Sequence, residues 1–543
     1  MSVVINNFLI IVLAALVWVA LAFVVQRFLA LDRKSILAPR LIAQREALEE
    51  HWRAFSRILI AAGFTISLAL VWCLRAFPNS ADEYSYLFGA RTFLAGRLWN
   101  PLPTDPQFFA FLHIVELNGK WVTMYTPGWP LLLTLAGYFH LPYWLVCPVI
   151  GLVFLMVMFV LGNRQGGHLG AVLTILIIAL SPFFVFNAAS YFNMVPSATA
   201  ALLFGWAALE FFDRPSPLNA LLTGVCLGAL GFIRIYDVTI FFLAFAIGLF
   251  GVGKRRHYTL APIIALGGLP FVAALLAYDR AITGSAFLLP EIWGSPGTEL
   301  GFLLIDRGMM FVTEIFLALW NIVDFGRWTS PIFLFGSLAA LTSKIRKHQW
   351  IFLDLIFPIN VVAYLLVEGV GGNRYGPRYY FIGYPFLVLT LVSILVPLLE
   401  DTTRMRRVAF VLTLIVGHVT SCVLAIVSYA ALYRNVVNER MDVYDQVGTL
   451  HIHNAVVVIR TVGGRYMPMT PMDLTRNGIS IGDQDVIYSL DIPDHMTELR
   501  QLFPTRKFYI YDGKLGAAKG ELKATRSLPV PSQSNENEPL RRG

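Results

Sequence analysis

Long apolar segments recur along about four fifths of this chain, and they limit its fold more than any other feature. A helix needs roughly 20 apolar residues to cross the hydrocarbon core of a bilayer, and many of these segments approach that length. Hydrophobic residues make up 57% of the sequence and charged residues only 14%, which excludes an ordinary soluble globular protein. The sequence therefore predicts a polytopic α-helical membrane protein.

Hydropathy and the positions of helix breakers together predict about twelve transmembrane spans. The predicted spans cover residues 3–29, 57–77, 143–161, 169–189, 196–212, 217–235, 238–252, 259–278, 329–343, 351–369, 380–399 and 408–432. The first of them is too long for a signal peptide and has no basic segment before it, so we expect it to stay in the membrane.

Lysine and arginine residues cluster in alternate loops, and the positive-inside rule predicts that those loops are cytoplasmic. The clusters include residues 33–53, 254–256, 344–347 and 404–407. Both termini and the loop that begins at residue 78 then lie on the extracytoplasmic side. The formal net charge of +8 accordingly reflects membrane topology, and it gives no reason to expect nucleic acid binding.

The sequence predicts three parts. Residues 1–432 form a transmembrane domain whose first extracytoplasmic loop, residues 78–142, is long enough to carry structure of its own. Residues 433–526 contain three predicted strands and a helix near residues 494–502, and they form a small extracytoplasmic α/β domain. Residues 527–543 are rich in Ser, Pro, Asn and Glu and are predicted to be disordered.

Within the first extracytoplasmic loop, the sequence predicts a hairpin and a short interfacial helix. Asn118-Gly119 separates two strand-like segments, residues 113–117 and 121–125, and Asn-Gly supports the positive backbone angles of a tight turn. Residues 128–139 are apolar but too short to span a bilayer, so they predict a helix at its surface.

Two adjacent carboxylates, Asp82 and Glu83, follow the predicted span 57–77 where the chain leaves the bilayer. A carboxylate near a wall of low dielectric constant is suited to general-base catalysis, in which Asp82 would take a proton from an acceptor hydroxyl. The alternative is structural, because acidic residues in the first turn of a helix interact favourably with its dipole. A helical pattern does continue to Leu94, so the residues alone leave both interpretations open.

A second polar segment, residues 371–380, reads Gly-Gly-Asn-Arg-Tyr-Gly-Pro-Arg-Tyr-Tyr and precedes a span on the same predicted side. Arg374 and Arg378 could form bidentate contacts with a phosphate. Tyr375 and Tyr379 could hydrogen-bond or stack beside it. The alternative is an aromatic and basic belt at the membrane interface, but such a belt would not require two arginines on the side disfavoured for positive charge.

Arg234 and Asp237 lie three residues apart near the predicted outer end of a span, where an ionisable residue is a candidate site by default. Arg234 would then contribute to phosphate binding, and a mutual ion pair is the plainer alternative. Other polar residues of the outer side could contact a sugar or a phosphate, although each is also ordinary interfacial polarity. The predicted substrate-binding residues are His113, Lys120, Tyr125, Asn193 and Tyr379.

Several short motifs occur in order along the membrane region, on one predicted side. They are Ala81-Asp82-Glu83-Tyr84 with Gly96, Tyr125-x-Pro127-Gly128-x-Pro130, Ser181-Pro182, residues 231–234, Thr283-Gly284-Ser285 with Pro290, and Tyr375-Gly376-Pro377-Arg378-Tyr379. Their order resembles the GT-C superfamily of integral-membrane glycosyltransferases, and in particular its protein O-mannosyltransferase and lipid A aminoarabinose transferase group.

The resemblance implies an inverting transfer of a sugar from a polyprenyl-phosphate donor to a lipid, glycan or protein acceptor, on the extracytoplasmic face of a bacterial inner membrane. Asp82 matches the catalytic carboxylate of the superfamily and Glu83 its neighbour. Arg378, supported by Arg374, matches a basic position that holds the donor phosphate. Phosphate is a good leaving group, so one base and one cation would suffice; no cofactor is required, and a divalent metal is optional.

The chain also departs from the superfamily pattern. The span 3–29 precedes the span before the Asp82 loop, and an acidic residue common in the second outer loop has no clear equivalent, although Asn193 lies nearby. The resemblance does not extend to the C-terminal α/β domain. We expect this domain to contact the acceptor or a partner protein.

Two functions from other classes remain alternatives. A transporter of a lipid-linked glycan would show two pseudo-symmetric halves and polar groups at the bilayer midplane, whereas the polar residues here gather at one predicted rim. A non-catalytic membrane assembly protein could retain the same fold without the reaction.

Overall fold

Helices account for most of this protein, whose computed structural model describes residues 13–14, 16–27, 37–290, 308–342, 350–365, 374–401 and 405–525. The chain divides into two compact units. The first combines Met1–Ala76 with Thr126–Ala430, and the second combines Phe77–Tyr125 with Ala431–Gly543. The predicted disordered tail, residues 527–543, lies outside the described residues.

The helices of the described ranges are numbered here in chain order. They are α1 (Leu16–Arg27), α2 (Leu37–Cys73), α3 (Ala81–Leu94), α4 (Gly128–Tyr138), α5 (Val146–Ala179), α6 (Pro182–Ala188), α7 (Met194–Asp213), α8 (Pro217–Ile233), α9 (Ile235–Val252), α10 (Arg255–Thr283), α11 (Gly308–Thr329), α12 (Pro331–Leu341), α13 (Ile351–Leu365), α14 (Tyr384–Glu400), α15 (Met405–Thr449) and α16 (Met496–Leu502). The predicted interfacial helix of the first loop corresponds to α4.

Six helices of the described chain are long and apolar enough to cross a membrane, judged by length and composition. These segments are Glu50–Cys73, Tyr143–Ala179, Met194–Asp213, Ile235–Val252, Arg255–Thr283 and Arg406–Thr449. The shorter apolar helices α1, α8, α12, α13 and α14 also fall on predicted spans. The prediction of a polytopic helical membrane protein is confirmed, whereas the number of twelve spans stays a prediction.

The long helix α5 contains a reversal of the chain at Gly167, whose φ of 59° is not helical. A Cβ atom placed on Gly162 would lie only 2.5 Å from the hydroxyl oxygen of Thr174. Residues so far apart in sequence cannot approach each other in this way along a straight helix, which rises 1.5 Å per residue. We therefore describe α5 as a hairpin of two apolar helices, which correspond to the separate predicted spans 143–161 and 169–189.

The second unit contains two sheets. In the first, β1 (Asn100–Pro101), β2 (Ile114–Leu117) and β3 (Lys120–Thr123) pair antiparallel in the order β1-β3-β2. In the second, β4 (Ala455–Thr461), β5 (Val486–Leu490), β6 (Lys507–Gly513) and β7 (Gly520–Thr525) follow the order β5-β4-β6-β7. Strand β4 is parallel to β5 and β6, and β7 is antiparallel to β6.

Most of these elements were predicted from the sequence. The hairpin between β2 and β3 is confirmed, with Asn118 and Gly119 at φ values of 50° and 75°. Strands β4, β5 and β6 and helix α16 confirm the prediction of a C-terminal α/β domain. The sequence analysis does not predict strand β7, because its sequence, Gly-Glu-Leu-Lys-Ala-Thr, has few residues that favour strands. Strand β7 pairs with β6 and lies at the edge of the sheet.

The central strand β4 carries a continuous apolar run because both of its faces are covered. Residues Val457 and Ile459 pack in one cluster with Val443 and Val447 of α15. The opposite face packs against Met496 and Leu499 of α16 and against the segment 77–125. That second cluster joins Val456, Val458 and Ile487 to Ala81, Tyr84, Phe88, Phe108, Phe109, Phe111, Ile114 and Trp121. Part of one side of the C-terminal domain core therefore comes from the first loop, which the sequence analysis does not predict.

A substitution in the first loop should weaken the C-terminal sheet. Phe109 is 1% exposed within the shared cluster, so Phe109→Ala should cost about 3–5 kcal/mol of stability. In detergent, the backbone amides of β4 should then exchange hydrogen faster. Leu515→Ala is the control, because Leu515 is 94% exposed and its truncation should change exchange little. Unchanged exchange in β4 of Phe109→Ala would contradict the shared core.

Candidate active site

Asp82 and Glu83 lie on the first turn of α3. The hydroxyl oxygen of Ser80 caps this helix by accepting a hydrogen bond from the Glu83 amide at 3.1 Å. The structural alternative is therefore right about the local fold, since both carboxylates complement the helix dipole. Their surroundings differ, because the Asp82 side chain is half-buried and that of Glu83 is 1% exposed.

The carboxylate of Asp82 is held by a residue distant in sequence. The hydroxyl of Tyr125 donates a hydrogen bond to Asp82 Oδ1 at 2.5 Å. The ring centre of Tyr125 lies 4.5 Å from that of Tyr86 and 5.8 Å from that of His113. Three of the predicted site residues, Asp82, Tyr125 and His113, are thus brought together in the second unit.

Helix α3 and the β2–β3 hairpin are tied together beside this cluster. The hydroxyl of Ser85 donates to the carbonyl oxygen of His113 at 2.5 Å and shares a hydrogen bond with the Thr123 hydroxyl at 2.8 Å. These bonds fix Tyr125, which follows β3, relative to α3. Lys120 is the first residue of β3, and its ammonium group lies 4.6 Å from the ring centre of Trp99.

In the first unit, Arg234 lies at the centre of a polar network. Its Nε atom is 2.7 Å from Oδ2 of Asp237, so the ion pair anticipated as the plainer alternative is present. The Tyr364 hydroxyl donates to Asp237 at 2.6 Å and accepts from Arg234 at 2.8 Å. Arg234 also donates to the side chain of Asn193 at 3.3 Å, and its guanidinium lies 5.7 Å from the ring centre of Tyr379.

Arg378 follows a turn of unusual backbone conformation. Tyr375 and Gly376 have φ values of 60° and 92°, and a positive φ is costly for a residue as large as tyrosine. Such strain, about 1–3 kcal/mol per residue, persists only where the surroundings enforce it. Here Asn187 donates a hydrogen bond to the Tyr375 carbonyl oxygen at 3.1 Å, and a Cβ atom on Gly376 would lie 2.8 Å from the Phe183 ring.

Arg378 and Arg234 both contact the same short connection between α6 and α7. The guanidinium of Arg378, which is 8% exposed, lies 3.8 Å from the ring centre of Phe192. The next residue, Asn193, accepts a hydrogen bond from Arg234. The structure therefore brings together four predicted residues, Arg234, Arg378, Asn193 and Tyr379, and Tyr375 lies beside them with its ring centre 5.9 Å from that of Phe192. Arg374 is half-buried at the start of the same turn.

The sequence analysis does not select two residues that the structure connects to these elements, Tyr364 and Arg476. Tyr364 lies inside a predicted span, where its apolar neighbours give no indication of a polar partner. Arg476 lies between two predicted strands in a segment with no recognisable motif. No local signal could have identified either residue, because their hydrogen-bond partners are distant in the chain. Asn187 belongs, like Asn193, to the outer polar residues that the sequence offers as possible sugar or phosphate contacts.

No group of three or more His, Cys, Asp or Glu side chains that could hold a metal ion lies within the described ranges of the chain. No family model matches the sequence, and no curated protein matches it.

Comparison with solved structures finds matching chains at low sequence identity. ArnT from Cupriavidus metallidurans, bound to undecaprenyl phosphate, is 11% identical with a TM-score of 0.49, and the match covers 88% of this chain and 99% of ArnT. An oligosaccharyltransferase from Archaeoglobus fulgidus, in complex with Zn and sulfate, is 13% identical with a TM-score of 0.46, covering 74% and 60%. The arabinofuranosyltransferase AftD from Mycobacteria is 17% identical with a TM-score of 0.42, covering 75% and 30%.

At TM-scores below 0.5, these matches assign neither an activity nor the role of any residue to this chain.

A double-mutant cycle should show that Arg234 and Asp237 stabilise the fold as a pair. Asp237 is 1% exposed, so Asp237→Leu alone leaves an uncompensated cation and should cost about 3–5 kcal/mol. The double variant with Arg234→Met should recover most of that loss, as thermal unfolding in detergent would measure. Asp324→Leu is a matched control, because its partner Arg327 is 35% exposed and can remain hydrated. Failure of the double variant to recover would contradict the pairing.

Proposed function

We propose that this protein is an inverting glycosyltransferase that moves a sugar from a polyprenyl-phosphate donor to a lipid, glycan or protein acceptor. The reaction would take place on the extracytoplasmic face of a bacterial inner membrane. The observation that carries the proposal is Asp82, a half-buried residue on the first turn of α3 whose carboxylate accepts a hydrogen bond from Tyr125. A carboxylate that only complements a helix dipole needs no partner 43 residues away in sequence.

Asp82 would act as the general base. The acceptor hydroxyl transfers its proton to the carboxylate of Asp82 while its oxygen attacks the anomeric carbon of the donor sugar. The bond from that carbon to the phosphate oxygen breaks, and polyprenyl phosphate leaves with one additional negative charge. A single displacement of this kind inverts the configuration at the anomeric carbon.

Arg378 would neutralise the charge that develops on the leaving phosphate. A buried guanidinium is suited to this role because it stays protonated and can bind two phosphate oxygens at once. The strained turn at Tyr375 supports this assignment, since strain held in place by packing is a feature of functional sites. A cation that stabilises the leaving group takes the place of a general acid.

The other residues are proposed in supporting roles. Arg374, Tyr375 and Arg234 would contribute to donor phosphate binding, with Arg234 already paired to Asp237. Glu83 is proposed as the acidic neighbour of the base. The residues proposed to contact the sugar or the acceptor are Tyr125, His113, Lys120, Asn193 and Tyr379.

Asp82→Asn should abolish sugar transfer without unfolding the protein. Because a general base contributes roughly 10²–10⁴-fold, the rate should fall by about that factor. The measurement is incorporation of label from radiolabelled polyprenyl-phosphate sugars into membrane acceptors. Glu116→Gln is the matched control, since Glu116 is an exposed carboxylate on β2 of the same loop.

The same experiment separates the proposed enzyme from its alternatives. If wild type incorporates more label than an empty-membrane control and Asp82→Asn does not, the result supports a glycosyltransferase. The labelled sugar that is incorporated then identifies the donor. Equal incorporation by wild type and Asp82→Asn would remove Asp82 as the base. Absence of transfer with every donor would instead favour the transporter or the assembly protein.

Arg378→Ala should lower the turnover of the donor by about 10²–10³-fold, because it removes a cation that stabilises the leaving phosphate. Arg378→Lys should recover part of the rate, since it keeps the charge but loses the bidentate geometry. Arg280→Ala, at an exposed arginine of α10, should leave the rate unchanged. An equal loss in Arg280→Ala and Arg378→Ala would show that general positive charge, rather than Arg378, matters.

A further inference from the structure

We propose that Arg476 is a positioning residue that fixes the first turn of α3 and thereby the carboxylate of Asp82. This inference rests on the proposed function, because it concerns the reaction in which Asp82 is the base. It assigns the C-terminal α/β domain a role in holding that base.

Arg476 contacts the chain on both sides of the start of α3. Its Nη1 atom donates a hydrogen bond to the carbonyl oxygen of Pro78, and its Nε atom donates to that of Asp473 at 3.0 Å. The guanidinium carbon lies 4.3 Å from the ring centre of Phe77 and 5.3 Å from that of Tyr84. One buried side chain thus touches residues immediately before α3 and within its first turn.

The residues on either side of Arg476 add further bonds to the same region. The hydroxyl of Thr475 donates a hydrogen bond to the carbonyl oxygen of Ala110 at 2.6 Å. The hydroxyl of Tyr84 donates a hydrogen bond to the carbonyl oxygen of Asn477. Burial raises the pKa of Tyr84, so this hydroxyl keeps its proton. The Asn477 side chain in turn exchanges two hydrogen bonds with the backbone of Tyr488, at 2.6 and 2.9 Å.

These contacts connect α3 to the sheet through a segment that is almost fully buried. Thr475, Arg476 and Asn477 are 1%, 8% and 2% exposed. Tyr488 belongs to β5, which pairs with the central strand β4. The start of α3 is therefore fixed to a strand of the C-terminal sheet, rather than to neighbouring residues of its own loop alone.

The charges support the same arrangement. Burial lowers the pKa of Arg476, and Tyr444, Tyr84, Asp473 and Glu83, in decreasing order, oppose that effect. A buried cation is costly unless such partners compensate it. Glu83 is itself buried and adjacent in sequence to Asp82. Glu83 therefore adds to the negative charge near Arg476, whereas Asp82 is half-buried and its carboxylate is bonded to Tyr125.

A positioning role and a purely structural role predict different results. A purely structural arginine would lower the folded fraction without changing the turnover of the protein that remains folded. A positioning arginine changes the turnover itself, because a displacement of about 1 Å in a reacting group can cost roughly 100-fold in rate.

The experiment compares Arg476→Met, Arg476→Lys and wild type at equal amounts of folded full-length protein, with the labelled donor that wild type uses. We expect kcat to fall about 10–100-fold in Arg476→Met while KM for the donor changes less than about threefold. Arg476→Lys should recover part of kcat. Arg460→Met is the matched control, because Arg460 pairs with Asp491 at 2.6 Å within the same domain, and it should keep the wild-type kcat.

Hydrogen exchange gives a second readout that does not depend on the donor. The backbone amides of residues 81–86 should exchange faster in Arg476→Met than in wild type, with those of residues 455–459 unchanged. If Arg476→Met does not fold, Tyr84→Phe tests the same connection, since it removes the hydroxyl bond to Asn477 and keeps the ring beside Arg476.

Wild-type kcat in the Arg476 variants would overturn the inference, and so would an equal loss of kcat in Arg460→Met. Either result would leave the proposed function intact, provided that Asp82→Asn is inactive. Equal transfer by wild type and Asp82→Asn would instead remove the proposed base, and with it the role of Arg476.

Discussion

Burial of aromatic side chains from the segment 77–125 against the C-terminal sheet is the interaction on which the second unit depends. Strand β4 presents apolar side chains to both faces, and one of those faces packs against α16 and the segment 77–125 together. Phe108 and Phe109 provide part of that cover, and each is almost completely buried. Because the cover begins with α3, the same packing determines where Asp82 and Glu83 lie relative to the sheet.

Each unit also buries an arginine among aromatic rings and compensates its charge. Arg234 pairs with Asp237, and Tyr364 bonds to both of them. Arg476 lies on Phe77 and Tyr84 and donates to backbone carbonyl oxygens. Planar guanidinium groups suit such environments because they stack on rings and still direct several hydrogen bonds. These contacts restrict the polar residues to defined positions, as a preorganised site requires.

Prediction from the sequence worked where the signal is local. The Asn118-Gly119 turn, the helix that begins after Ser80 and the apolar run of β4 each follow from residues close together in the chain. The two candidate functions of Asp82, stabilisation of the helix dipole and general-base catalysis, could not be separated in the same way. The contact of Asp82 with Tyr125 could not be predicted either, because this hydrogen bond spans 43 residues and has no local signature.

The sequence by itself determined that this is a helical membrane protein with a C-terminal α/β domain, since apolar length and strand patterning depend on composition and spacing alone. It also selected Asp82 and Arg378 as candidates. Tertiary structure alone decided that the first loop supplies part of one side of the C-terminal core and that Arg476 contacts the residues around α3. The physical reason is that burial and hydrogen bonding between distant segments depend on how the chain packs, and a single sequence does not encode that packing in any local pattern.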